Sequence, residues 1–155
     1  MIEIERKFLV LSDAFKQDAF KETRITQGFL CTDPERTVRV RVKGEQGFLT
    51  VKGASNASGT SRFEWEKDIG VEEAQSLLKI CKQGVIDKIR YEVKMGDHIF
   101  EVDEFFADNT GLIIAEVELT SEDEVFEQPI WLGEEVTGDA RYYNSQLSLN
   151  PFCKW

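Results

Sequence analysis

Histidine, cysteine and proline are scarce in this chain of 155 residues, which has one His, three Cys and three Pro. The lone histidine, His98, is out of phase with the nearby acidic pair Glu101/Asp103, which excludes His-based nucleophilic catalysis and predicts a surface position. Cys31, Cys81 and Cys153 are odd in number and widely spaced, without metal-ligand or redox spacing, and read as reduced structural thiols. No apolar run approaches the length of a membrane span. The N-terminus places Glu3, Glu5, Arg6 and Lys7 where a signal peptide would be apolar, so a cytoplasmic protein with no membrane partner is expected. Basic charge is in deficit: 19 Lys and Arg against 29 Asp and Glu give a net charge of −10, which argues against nonspecific nucleic-acid binding. Glycine-rich phosphate loops are also missing, since Gly44 and Gly53 are isolated and no P-loop lysine follows them. Phosphate binding, if any, must come from side chains. No linker, repeat or low-complexity stretch divides the chain, so one domain over 1–155 is expected.

What the chain does contain is charge at alternate positions. Glu3/Glu5, Arg39/Arg41, Glu64/Glu66, Lys88/Arg90, Glu101/Asp103 and Glu116/Glu118 are pairs two residues apart, and Lys7, Lys43 and Lys52 continue the same phase. Successive side chains of a strand point to opposite faces, so each pair lies on one face and the intervening Ile, Val, Trp or Leu on the other. Strands are predicted over 2–10, 24–32, 37–43, 48–52, 62–69, 86–94, 99–106 and 112–119. The spacing predicts helices over 14–20 and 71–83, and a short one over 144–149. The small, polar stretch 54–61 reads as a mobile loop, and the acidic tail from Thr120 as irregular.

Eight consecutive strands with few helices suggest an antiparallel barrel or sandwich of the α+β, mainly β, class. The charged face then has two possible places. It can be the solvated outer face of a two-layer domain. Alternatively, the sheet closes with its charges inward, an eight-stranded tunnel whose apolar outside is wrapped by helices and whose interior holds one small ligand. The signs are segregated, acidic on four strands and basic on three. Two carboxylates about 4 Å apart repel by roughly 4 kcal/mol at an effective dielectric near 20. An inward arrangement therefore calls for cations: a divalent metal on the acidic side, holding a polyanion against the basic side. Glu104 and Arg6 fall on the opposite face and are expected to be surface or salt-bridge charges. Arg62 and Lys43 are in phase but near strand ends.

Glu3-Ile-Glu-Arg-Lys7, Thr37-Val-Arg-Val-Arg41, Leu49-Thr-Val-Lys-Gly53, Arg62-Phe-Glu-Trp-Glu66, Lys88-Ile-Arg90, Glu101-Val-Asp103 and Ala115-Glu-Val-Glu118 form an ordered series. This series resembles the CYTH superfamily, the triphosphate tunnel metalloenzymes, and Thr137-Gly-Asp-Ala-Arg-Tyr-Tyr-Asn144 resembles that family's closing segment. The resemblance implies an eight-stranded antiparallel tunnel, Mg²⁺ or Mn²⁺ as cofactor and a small-molecule triphosphate as substrate, in a monomer or homodimer. Carried over by motif, Lys7, Arg39, Arg41, Lys52, Lys88 and Arg90 would hold phosphate oxygens. Glu3, Glu5, Glu64, Glu66, Asp103, Glu116 and Glu118 would hold metal, with Lys7, Glu5 and Glu66 in catalytic roles. Glu101 shares their face without an assigned role. One departure is Phe29, where many relatives have Tyr, so that hydroxyl is absent here. Hydrolysis of inorganic tripolyphosphate to pyrophosphate and phosphate is the activity expected, with the substrate free to enter from both sides. ATP cyclisation, thiamine triphosphate hydrolysis and polyphosphate binding without turnover are the alternatives.

Overall fold

Alternation of charged and apolar side chains is realised as a run of antiparallel strands in a computed structural model that describes residues 1–155. The strands are β1 (Ile2–Val10), β2 (Ala19–Cys31), β3 (Arg36–Lys43), β4 (Gln46–Ser55), β5 (Ser61–Ile69), β6 (Ile86–Met95), β7 (His98–Phe105), β8 (Ile113–Glu118) and β9 (Leu132–Glu135). Three short helices accompany them, α1 (Phe15–Asp18), α2 (Val71–Leu78) and α3 (Asn144–Leu149). The sheet runs β5-β4-β3-β2-β6-β7-β8-β1, and β1 returns to β5, so eight strands close into a barrel. β9 is a ninth strand outside the closed set.

One edge of β1 is shared between two partners. Ile2, Glu3 and Ile4 pair with Phe63, Arg62 and Ser61 of β5, and further along Phe8 and Val10 pair with β9. The Glu5 amide donates to the Thr60 carbonyl and the Glu64 amide to that of Met1, extending the seam by two bonds. The other edge of β1 pairs with β8 over five positions, from Glu5↔Glu118 to Leu9↔Ile114.

Closure turns the charged face inward. Paired residues share a face, and the registers Lys7↔Glu116, Lys52↔Glu64, Arg90↔Asp103 and Glu101↔Glu116 bring the alternating charges of neighbouring strands together inside. Outside, Val93, Phe100, Val102, Ala115 and Val117 are buried under Phe15 of α1 and under Phe126 and Trp131 of the irregular segment before β9. Phe15 and Phe100 meet the Trp131 ring edge-on at 5.8 and 5.7 Å. Burial of each such side chain stabilises the fold by about 1.5–3 kcal/mol. Cover is incomplete on β5, where Phe63 is 43% exposed.

The barrel is not open at both ends, contrary to expectation. A second apolar cluster joins the inward-facing Phe29, Ile86, Phe105 and Ile114 to Val136, Tyr142 and Leu147 of the C-terminal segment, with Leu9 packed against it. Hydrophobic side chains of α3 and its lead-in thus plug one end. Gly84 makes this docking possible: its φ is +97°, and a Cβ there would lie 1.9 Å from the Ser148 carbonyl oxygen of α3.

Other boundaries moved too. The helix expected over 14–20 is only Phe15–Asp18, because Ala19–Glu22 extend β2 and pair with β6. The helix expected to reach residue 83 ends at Leu78, after which the chain tightens into turns. The supposedly mobile loop is shorter, since β4 runs to Ser55, and it is tied down. Glu122 accepts hydrogen bonds from Asn56, Ser58, Thr60 and Ser61. No helix is long and apolar enough to cross a membrane.

Candidate active site

Strand order divides the barrel interior into two electrostatic halves. The acidic strands β7, β8, β1 and β5 are contiguous, as are β4, β3, β2 and β6, three of which carry the basic residues. Between the halves lies a cavity of about 260 Å³ to which only Phe29 and Tyr143 contribute apolar side chains. Such a lining has no use for an apolar ligand.

On the acidic half, Glu3, Glu5, Glu64, Glu116 and Glu118 reach the cavity, and Glu101 joins them from β7. Four of them are bound in two pairs. Burial, with the charges of Glu116 and Glu3, pushes the Glu5 carboxyl well above its usual range, and it hydrogen-bonds to Glu116. Burial also opposes ionisation of Glu116. Lys7, the hydrogen bond with Glu5, and the charges of Arg90 and Lys88 outweigh it and hold Glu116 well below the carboxylate range. The same division occurs between Glu64 and Glu3. Burial and its bond to Glu3 raise Glu64 to about 7. For Glu3, burial is overridden by the Glu64 hydrogen bond and by Lys52, which lower it to about 2. In each pair the balance of burial and neighbouring charges raises one carboxyl and lowers the other, as expected where like charges face one another. Burial, with the charges of Glu3 and Glu101, raises Glu118.

These carboxyls do not converge three at a time on one point. Their chemistry is nevertheless that of a hard-cation site, with oxygen donors only and no thiolate or imidazole.

Across the cavity, Arg39 and Arg41 each bring Nη2 to 3.4 Å from Glu66 Oε2, and Thr50 Oγ1 donates to the same oxygen at 2.7 Å. Glu66, expected among the metal ligands and catalytic groups, therefore sits on the arginine side. Burial and the Arg39 charge lower Arg41 to about 10. Lys52 Nζ pairs with Glu3 Oε1 at 2.9 Å. Lys43 and Arg62, in phase with the site, line the cavity.

Asp103 is in phase but not at the cavity wall. Its two oxygens accept from Arg90 Nε and Nη2 at 2.8 and 2.9 Å, and Lys88 Nζ lies 2.8 Å from Oδ2. Only 1% of Asp103 is accessible. It anchors two cations from behind. Arg90 Nη1 also donates to Glu101 Oε2 at 2.9 Å.

Lys7 differs from the other cations. It projects from β1, on the acidic half, and is buried without a carboxylate partner. Its Nζ donates to the Tyr142 carbonyl at 3.3 Å and lies 5.2 Å from the centre of the Tyr143 ring, which Arg62 approaches at 5.7 Å. Phe29 leaves no hydroxyl on β2 to meet it, and the closing segment supplies its contacts instead.

The residues placed outside the site by strand phase lie outside it. Glu104 pairs with Lys16, Arg6 with Glu135, and His98 with Glu124. Tyr143, Asn144 and Ser145 line the cavity and were not anticipated as site residues. They lie where an irregular stretch enters α3, and the match of 137–144 to a closing segment was the only signal pointing to a role there.

An antiparallel barrel that divides carboxylates from cations around a polar cavity defines a triphosphate-tunnel type of protein. The chain matches the CYTH domain over residues 1–145 and belongs to that family. An inorganic triphosphatase of Acetivibrio thermocellus is 48% identical over 151 residues, covering 97% of this chain and 95% of that protein. One from Nitrosomonas europaea is 38% identical over 154 residues, covering 97% and 99%. A crystal structure of an inorganic triphosphatase, 37% identical, superposes with a TM-score of 0.67 over 95% of this chain and 97% of its own.

Proposed function

We propose that this protein is a metal-dependent triphosphatase that hydrolyses inorganic tripolyphosphate to pyrophosphate and phosphate. The observation that carries the reading is the divided cavity, in which a wall of carboxyls faces a wall of arginines and lysines, with Lys7 on the carboxyl side held by the Tyr142 carbonyl. Identity of 48% and 38% with inorganic triphosphatases over nearly the whole chain supports it.

In this reading Arg39, Arg41, Lys52, Lys88 and Arg90 bind the non-bridging oxygens, and Glu66 keeps the two arginines aimed inward. Lys7, from the opposite wall, neutralises charge developing at the phosphorus under attack. Glu3, Glu5, Glu64, Glu116 and Glu118 would hold Mg²⁺ or Mn²⁺, which supplies Lewis acidity and a more acidic bound water. Glu5, whose carboxyl burial makes more basic than usual, would serve as base toward the attacking water. Asp103 acts through Lys88 and Arg90.

Apart from Phe29 and Thr37, every side chain that the strands bring to the cavity is charged, a lining that favours the free triphosphate over a nucleotide. Phosphate release from tripolyphosphate, ATP and thiamine triphosphate with Mg²⁺ and with Mn²⁺ tests this. Tripolyphosphate is expected to have the highest kcat/KM. ATP as the better substrate, with cyclic AMP as product, would replace hydrolysis by cyclisation.

A further inference from the structure

Asn144 is the first residue of α3, and its side chain reaches between β2 and β6 into the barrel. Its Oδ1 accepts two hydrogen bonds, from Gln27 Nε2 at 3.0 Å and from Lys88 Nζ at 2.9 Å. An ammonium only donates, so the amide cannot be turned over: the flipped form would set Nδ2 against Lys88. Turning Gln27 instead would oppose two carbonyl oxygens. Both orientations are thus fixed by the chemistry of Lys88, which is 2% accessible and also held by Asp103. With its oxygen saturated, Asn144 has one group left. Nδ2 donates to no protein atom and is not buried, and Asn144 lines the cavity beside Lys7, Lys88 and Arg90.

We propose that Asn144 Nδ2 is a neutral donor to a phosphate oxygen of the bound substrate, a phosphate contact supplied by the plug rather than by a strand. This rests on the triphosphatase reading and adds to it a function for α3 beyond closing one end of the barrel. A neutral donor suits this place, because Lys88 and Arg90 already crowd positive charge there and a third cation would repel them. Lys88 and Asn144 then present two donors side by side, one charged and one neutral, that fit two oxygens of one phosphoryl group.

The two parts of the side chain can be tested apart. Asn144→Asp keeps an acceptor for Lys88 and Gln27 but replaces the donor with an anion, whereas Asn144→Ala removes both. Titration calorimetry with tripolyphosphate, beside thermal melts to confirm folding, reads the effect. A contact to phosphate predicts that Asn144→Ala weakens binding about fivefold or more, and Asn144→Asp about tenfold further, because the carboxylate repels the ligand. If Asn144 only holds Lys88, the order reverses, with Asn144→Asp binding like wild type. That result, or unchanged binding in Asn144→Ala, overturns the contact. A wild-type chain that fails to bind tripolyphosphate overturns the triphosphatase reading as well, and wild-type binding with the reversed order overturns the Asn144 contact alone.

Discussion

Asp103 and Glu104 are adjacent carboxylates with opposite consequences, set by which face of β7 each occupies. Asp103 is enclosed and satisfies Arg90 and Lys88 together. Removing its charge leaves buried Lys88 without a counterion and Arg90 with Glu101 alone, so Asp103→Asn should cost about 3–5 kcal/mol in urea unfolding. Glu104 meets Lys16, whose side chain is 37% exposed, and Glu104→Gln should cost less than about 1 kcal/mol. The pH dependence has a definite sign. Burial opposes ionisation of Asp103, but Arg90 and Lys88 outweigh it and lower its pKa from 3.8 to about 2. The folded state therefore binds its proton less readily than the unfolded chain. The stability contributed is present in full above about pH 4 and is lost as pH falls toward 2. An acid-unfolding curve that is less steep across this window in Asp103→Asn than in wild type is the expected outcome.

The plug α3 depends on a glycine it does not contain. Because a Cβ at residue 84 would collide with the Ser148 carbonyl, Gly84→Ala should push α3 outward and loosen both the apolar seal and the Asn144–Lys88 contact. Tripolyphosphate affinity should fall, and the amides of α3 should exchange hydrogen faster while those of β7 and β8 stay protected. Elements differ in how far the sequence reveals them. β1, β3 and β5–β8 were legible because a two-residue period of charge and hydrophobe has only one pleated solution. β9 was not: Leu132-Gly-Glu-Glu135 has no alternation, and it is a strand only because β1 offers an edge beyond the reach of β5. α1 was overestimated because Ala19–Glu22 can continue a helical face, yet pairing with β6 outweighs that local preference.

For the molecule as a whole, the dominant feature is a charge-divided interior enclosed by an apolar shell. Glu5 with Glu116, and Glu64 with Glu3, set like charges together that a divalent cation would balance. Added Mg²⁺ or Mn²⁺ should raise the melting temperature, by more at pH 8 than at pH 6, where Glu64, with its pKa raised to about 7, retains its proton. No rise at either pH would count against the metal-dependent reading. Most of the candidate site could be read from phase alone, since strand alternation assigns a face. Depth along the barrel could not, which is why Asp103 fell behind the wall instead of on it. Nor could the contribution of Tyr143, Asn144 and Ser145, which depends on where the chain returns after β9.

The seam along β1 also has a consequence in time. Every partner of β1 follows it in the chain: β5 from Ser61, β8 from Ile113 and β9 from Leu132. β2 to β5 can pair as successive hairpins while the chain is still growing, and β1 can then join β5, but its other edge must wait for β8, more than a hundred residues further on. Locking the barrel shut thus waits until β8 has been made, long after the hairpins that form most of its wall.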